Sequence, residues 1–391
     1  MRPLEGMLVV TLEHAIAAPF CTRQLADLGA RVIKVERPGE GDFARAYDSR
    51  THGLASHFVW CNRSKESLTL DLKHPEGRAI LQKLLERADV LVQNLAPGAA
   101  ARMGLDHARL AAVNPRIVVC GISGYGDGGP YTEKKAYDLL IQSESGFVSI
   151  TGTPEQPCKA GLSIADIAAG MYAYSSILAA LLERGRTGQG RQIEISMLEA
   201  MAEWMGYPLY YAIDGQPPPV RAGAAHASIY PYGPFTCGDG KQVVLAVQHD
   251  REWATFCEKV LLRPDLVQPY LGNAKRLAER EQLRVVIEQV CATLTAAQLV
   301  ERLDAAQIAN GQLNEIADLW QHPQLAARGR WTQIDSPAGP LPALYPPHHL
   351  QGSEPPPMGP VPALGAHTEA ILAELGYADT DIARLRAAKA I

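Results

Sequence analysis

Two short apolar runs joined by one helix constrain this chain most. Met7-Leu8-Val9-Val10-Thr11-Leu12 follows a glycine and reads as a buried strand. Ala18-Pro19 opens a helix that runs to Leu28 and closes at Gly29. Arg31-Val32-Ile33-Lys34-Val35-Glu36 is then the next strand. Strand, helix and strand in so short a span form a βαβ unit, and its two strands run parallel. The alternation continues. Strands are expected at Leu68–Leu72, Ala88–Gln93, Arg116–Ile122 and Gln192–Ile195, with a helix from Pro75 to Arg87. The fold class is therefore α/β, with a Rossmann-like large domain.

A chain of 391 residues exceeds one ordinary core. The Pro-rich break Gly215-Gln216-Pro217-Pro218-Pro219 sets an expected boundary. Residues 1–219 form the large Rossmann-like domain and 220–332 a small α+β domain. Residues 333–391 return to the large one. In the small domain Tyr232 to Val247 reads as a hairpin turning at Asp239-Gly240. Pro337 to Pro362 reads as an irregular segment wrapping the surface, ahead of a last helix over Thr368–Leu375. No repeat of fixed period is present.

A net charge of −5 and the lack of any Lys/Arg block argue against nucleic-acid binding. The longest apolar stretch, Ile164 to Leu182, carries Asp166 and ends at Glu183-Arg184, so no membrane-spanning helix is expected. Met1-Arg2-Pro3-Leu4-Glu5-Gly6 does not read as a signal peptide. Seven scattered cysteines without a C-x-x-C pair fit a reduced, cytoplasmic protein. No metal-ligand spacing, G-x-G-x-x-G or G-x-S-x-G is found, which argues against metal, dinucleotide and serine-hydrolase chemistry.

Asp166 stands out as a lone carboxylate between apolar and small residues, ahead of the apolar helical run Met171–Leu182. The plain reading is a helix cap; the alternative is a functional group that is poorly solvated. His14 falls just past the first strand, a usual ligand position in an α/β sheet, and a structural histidine is the rival reading. Arg37 ends the second strand ahead of a Gly-rich turn. Lys73, Arg102, Lys134 and Lys135 recur at expected element ends, where a basic pocket for a multiply phosphorylated ligand or plain surface charge both fit. The glycine-dense loop Gly121 to Tyr131 could bind an anion through its N–H groups or be a simple turn.

Taken in order, these segments resemble the class III CoA-transferases. The resemblance rests on Leu25 to Asp42, Asn62-Arg63-Ser64-Lys65, Leu70-Asp71-Leu72-Lys73 and Asn94-Leu95-Ala96-Pro97-Gly98. It continues through Arg102-Met103-Gly104-Leu105, Gly121 to Pro130, Tyr137-Asp138, Ser145-Gly146, Asp166 with Gly170, Gly188-Gln189-Gly190-Arg191 and Leu364 to Thr368. It implies Asp166 as a nucleophile passing through an aspartyl anhydride and an aspartyl-CoA thioester. It also implies His14, Arg37, Leu70, Lys73, Asn94, Leu95, Arg102, Met103, Lys135 and Tyr137 around CoA. The thioester enters as a substrate, with no tightly bound cofactor and no metal. An interlocked homodimer is implied as well.

Departures narrow the reading. The formyl-CoA branch has Gln where this chain has Ile16, and its long Gly-rich lid loop is missing. The racemase branch has His at the position of Tyr137, and a phenol with a reference pKa of about 10 is a poor base. The run His226 to Phe235 resembles the subgroup acting on succinyl-CoA and short dicarboxylates such as itaconate, citramalate or mesaconate. Ile16, Arg45, Arg221 and His226 are the candidate substrate contacts, the last three for a second carboxylate. The rival functions are an acyl-CoA racemase on the same fold and a CoA-binding protein without turnover.

Overall fold

The computed structural model describes residues 1–348 and 350–391. They divide into two compact units. The first comprises Met1–Gly146, Ala160–Gly206 and Leu325–Ile391, and the second Phe147–Lys159 and Tyr207–Gln324.

The first unit is built on six strands: β1 (Leu8–Leu12), β2 (Arg31–Glu36), β3 (Lys65–Thr69), β4 (Val90–Gln93), β5 (Val118–Ser123) and β6 (Gln192–Ser196). Their order is β3-β2-β1-β4-β5-β6, and every pairing is parallel. The order reverses at β1, where β2 lies on one side and β4 on the other. In open α/β sheets such a reversal opens a crevice at the carboxyl ends of the strands. The expected strands are present but shifted: β3 runs from Lys65 to Thr69, three residues earlier than the 68–72 run.

The core beneath β1–β5 joins Val10, Ile33, Leu68, Ile80, Leu91 and Val119 to Ile371, Leu372, Ile382 and Leu385 of the C-terminal segment. That segment is less irregular than its prolines suggest. β10 (Trp331–Ile334) and β11 (Leu341–Leu344) pair as an antiparallel hairpin, and a second terminal helix, Asp379–Ala387, follows Thr368–Glu374. β3 is the edge strand of the large sheet. Its N–H groups at Ser67 and Thr69 donate to His367 Nδ1 and Thr368 Oγ1, at 3.1 and 3.0 Å, and His367 N–H donates to the Ser67 carbonyl.

The helix Ile164–Thr187 is, among the described residues, long and apolar enough by composition to cross a membrane. Its buried residues include Ala165, Ala168, Ala169, Gly170, Ala173 and Ile177. At its far end the buried Arg184 pairs with Asp89 at 3.0 Å. The helix packs against Ala17–Asp27 with Gly170 at the crossing. A Cβ there would stand 2.7 Å from the Ala17 carbonyl oxygen and 3.1 Å from Phe20 Cδ1. Only glycine allows so close an approach.

The second unit holds the antiparallel sheet β7 (Tyr232–Thr236), β8 (Gln242–Ala246) and β9 (Ala309–Gln312), packed by the helices Arg280–Cys291 and Ala296–Ala305. The β7–β8 turn carries Gly240 at φ 78°. The expected boundary at 219/220 falls inside this unit, and Phe147–Lys159 belongs here as well. The cause is Arg221, whose guanidinium donates to the carbonyls of Thr153, Ser149 and Pro154 at 2.8, 3.1 and 2.7 Å. Gly223 N–H adds a bond to the Gly152 carbonyl. The expected boundary at 332/333 likewise gives way to one at 324/325, since the β10–β11 hairpin belongs to the first unit.

Candidate active site

Asp166 occupies the third position of the helix Ile164–Thr187, so the cap reading does not hold. Ser163 stands at the cap, and its side chain makes no capping bond. The capping is done from elsewhere. Asp138 Oδ1 accepts the N–H groups of Ala165 at 2.8 Å and Asp166 at 3.4 Å, and Ile164 N–H donates to the Leu162 carbonyl. The donors at the start of this helix are thereby engaged, and Asp166 gains little from the favourable helix terminus. Burial pushes its carboxyl up, and the Asp138 charge adds to this, to about 7. By accessible surface Asp166 is only partly buried, so a reacting group has a route to it.

Asp138 is itself held: its Oδ2 accepts from Gln142 Nε2 at 2.7 Å, and Gln142 Oε1 accepts from Ala160 N–H at 2.9 Å. Tyr137 precedes the helix Asp138–Glu144 and is exposed. The hydroxyl of Tyr47 is raised to about 12, by its own burial and then by the charges of Asp42 and Asp166. That places Tyr47 within electrostatic reach of both carboxylates. Neither Asp138 nor Tyr47 was given a role from sequence. Asp138 lies 28 residues before Asp166, and only the adjacent Tyr137 drew attention to it.

The residues assigned to CoA by resemblance gather at the carboxyl ends of neighbouring strands. His14 follows β1, Arg37 follows β2, Leu70 and Lys73 follow β3, and Asn94 and Leu95 follow β4. The β1/β4 crevice is closed by a reciprocal clasp: His14 N–H donates to Asn94 Oδ1 and Asn94 Nδ2 to the His14 carbonyl, both at 2.9 Å. Asn94 therefore shapes the loop around His14. Arg102 and Met103 end a short helix beside the crevice, and Arg102, Lys73 and Lys135 are exposed. A cavity of about 410 Å³ at the ends of β2 and β3 is lined by Pro38, Gly39, Thr69, Gly365, Thr368 and Arg386 among others. A groove of about 240 Å³ beside Leu95 and Ala101 extends over β5.

Several expectations need correction. Leu70 is 1% exposed and belongs to the core, so its side chain is closed to a ligand. Arg37 is an exposed residue paired with Glu40 at 2.7 Å. Arg45 is no free carboxylate receptor. Its Nε and Nη2 each reach a Glu36 oxygen at 2.8 Å, and it lies 3.8 Å over the Phe58 ring. Arg221 is tied to three carbonyls, as described. Ile16 is buried at the start of the helix Ala17–Asp27. His226 stacks on Tyr232, and its Nδ1 accepts from Ser228 N–H at 3.2 Å. When neutral, that ring carries its proton on Nε2.

Lys134 pairs with Glu144 and sits over the rings of Tyr125 and Tyr131. Three donors of the glycine-dense loop are already engaged. Gly126, Asp127 and Gly129 N–H groups donate to Ser123 Oγ, Glu194 Oε1 and Thr132 Oγ1. These three bonds brace it as a turn. No group of His, Cys, Asp or Glu spaced to hold a metal ion occurs among the described residues.

The model of CoA-transferase family III matches residues 4–368. The chain is 34% identical over 386 residues to the succinate–glutarate CoA-transferase of Agrobacterium fabrum, covering 95% of this chain and 96% of that one. It is 33% identical to the succinyl-CoA:mesaconate CoA-transferase of Haloarcula hispanica, covering 96% and 97%. A crystal structure of a CAIB/BAIF family protein from Brucella suis superposes with a TM-score of 0.84 at 34% identity, covering 96% of this chain and 99% of that one. Sequence, sheet order and the carboxylate at the helix start lead to one conclusion: this chain belongs to CoA-transferase family III.

Proposed function

We propose that this enzyme moves CoA from succinyl-CoA to a short dicarboxylic acid, with Asp166 as the nucleophile. The observation that supports this best is a poorly solvated carboxylate at a helix start whose donors are engaged by Asp138. An Asp166 oxygen attacks the thioester carbonyl. The C–S bond breaks, the CoA thiolate leaves, and a mixed anhydride forms. The thiolate then attacks Asp166 Cγ and expels the donor acid as its carboxylate, leaving an aspartyl-CoA thioester. An incoming carboxylate attacks that thioester and releases thiolate. The thiolate takes the new acyl group and frees Asp166. Both intermediates are neutral at Asp166, so each relieves the cost of a carboxylate held in a poorly solvated place beside Asp138.

The relatives act on glutarate and mesaconate, both five-carbon diacids. An acceptor of that class, itaconate and citramalate included, suits this chain. With Arg45 and Arg221 engaged, His226 remains as the proposed group for a second carboxylate. The residues at the strand ends, His14, Asn94, Leu95, Arg102, Met103, Lys73 and Lys135, are the proposed CoA contacts. The exposed aromatic run Tyr207, Tyr210 and Tyr211 with Leu209 suits burial against a second copy, which supports a homodimer. The free cysteines, mostly buried, suit a reducing cytoplasm.

The test is incubation in heavy water with succinyl-CoA and a panel of acids, read by mass spectrometry of the CoA esters. A new ester without α-deuterium supports transfer and names the acceptor. Deuterium at the α carbon with no new ester means racemase chemistry. Binding without any product means a CoA-binding protein.

A further inference from the structure

Behind the proposed site lies a buried ionic cluster that the transfer chemistry does not use. Asp42 is fully buried. Its Oδ2 accepts from Lys34 Nζ at 2.7 Å, and its Oδ1 accepts the N–H groups of Ala15 at 3.1 Å and Ala44 at 2.9 Å. Lys34, also fully buried, lies 3.4 Å from Glu13 Oε1. Glu13 is held in turn by Lys65 at 2.6 Å and by the hydroxyls of Thr11 and Thr22.

What Asp42 holds is unusual. Ala15 has φ 61°, a left-handed conformation that disfavours any side chain. Such strain persists only where the surroundings over-determine it. Here the Ala15 N–H is fixed by Asp42, and the preceding residue is fixed by the Asn94 clasp. The His14 ring lies on Phe43, with Nδ1 3.8 Å from Asp42 Oδ1. Two residues after Ala15 comes the Ala17 carbonyl, which abuts Gly170 one turn beyond Asp166. A continuous line of contacts therefore runs from Lys34 through Asp42, Ala15 and Ala17 to the helix that carries Asp166.

We propose that Asp42 is a positioning residue for the transfer reaction: its Oδ1 holds the Ala15 turn, and that turn sets the place of Asp166 relative to the β1 crevice. Lys34 neutralises Asp42 where water cannot. This rests on Asp166 being the nucleophile.

The test compares Lys34→Met/Asp42→Asn with Lys34→Met/Asp42→Ala. Both lack the buried charge pair, and only the first keeps an amide oxygen for Ala15. Each full-length variant is mixed with saturating succinyl-CoA, and the covalent adduct on the Asp166 peptide is timed by quenched-flow mass spectrometry. The alanine variant should form adduct more slowly than the asparagine variant by at least about tenfold, the scale of a small misplacement of reacting atoms. KM for succinyl-CoA should agree between the two within about threefold, a split that plain loss of structure does not give. Equal adduct rates, or a difference confined to KM, overturn the proposal. If the Lys34→Met background does not fold, Asp42→Asn against Asp42→Ala with Lys34 intact makes the same comparison. A wild-type chain that turns over but leaves no adduct on the Asp166 peptide sinks the nucleophile reading instead.

Discussion

Asp138 takes the N–H groups of Ala165 and Asp166 on one carboxylate oxygen, and so withholds them from the Asp166 side chain. One acid caps the helix while the other is left poorly solvated beside it. The first prediction follows directly. Asp138→Asn keeps an acceptor for the cap and removes the repelling charge. The pH midpoint of kcat/KM for succinyl-CoA, expected near 7 if Asp166 is the nucleophile, should move down in this variant. It should stay above the ordinary Asp value of about 3.9, because burial is the larger cause. A pH–rate profile that does not move refutes the coupling. Asp138→Ala also loses the cap, at about 0.5–2 kcal/mol of stability.

Asp166 should cost stability when ionised. Its folded pKa is raised, so the unfolded chain ionises first, at about 3.9, and the folded chain only near 7. Between those values stability falls with rising pH, and above the upper one the penalty is constant. Asp166→Asn should therefore lose transfer by at least about a thousandfold while melting higher than wild type at pH 8. Each kcal/mol of relief is worth roughly 2–4 °C for a sizeable domain. The gain should shrink to nothing below about pH 4. Melting curves at pH 4, 6 and 8 decide it.

Gly170→Ala places a methyl 2.7 Å from the Ala17 carbonyl. Backbone cannot swing aside as a flexible side chain can, so the two helices must separate. We expect about 1–3 kcal/mol of destabilisation, and a drop in kcat exceeding any change in KM. A variant with wild-type turnover and melting would show that the crossing is slack.

Arg45→Ala separates a structural arginine from a substrate-binding one. Glu36 is almost fully buried and would lose its bidentate partner, a loss of about 3–5 kcal/mol for a buried pair. The acceptor KM should stay close to wild type. A large rise in acceptor KM without loss of stability would restore Arg45 to the substrate.

Much of the first unit was legible because a parallel sheet writes itself as short apolar runs. β1, β2 and β4 are such runs, and the place of Asp166 showed because an acid stands out among Ala, Ile and Gly. Side-chain pairing was not legible. Lys34 and Glu36 read as a charged strand end, while in the structure both are buried, held by Asp42 and Arg45 across a turn. Arg221 read as a free cation beside a linker because its three carbonyl partners lie some 70 positions earlier and carry no residue signature. The boundaries slipped for the same reason: prolines mark where a helix must stop, not which segment the chain returns to.

The stitching of His367 and Thr368 onto β3 has a consequence for the chain as a material. Ser67 and Thr69 offer a row of donors and acceptors that, uncovered, is a template for another strand. The residues that cover it follow some 300 positions later in the chain. Until Gly365 to Thr368 are made and docked, every nascent copy exposes the same adhesive border, and two such copies meeting side by side have matching edges. By occupying that border, His367 and Thr368 deny it to a second strand besides joining the finished core.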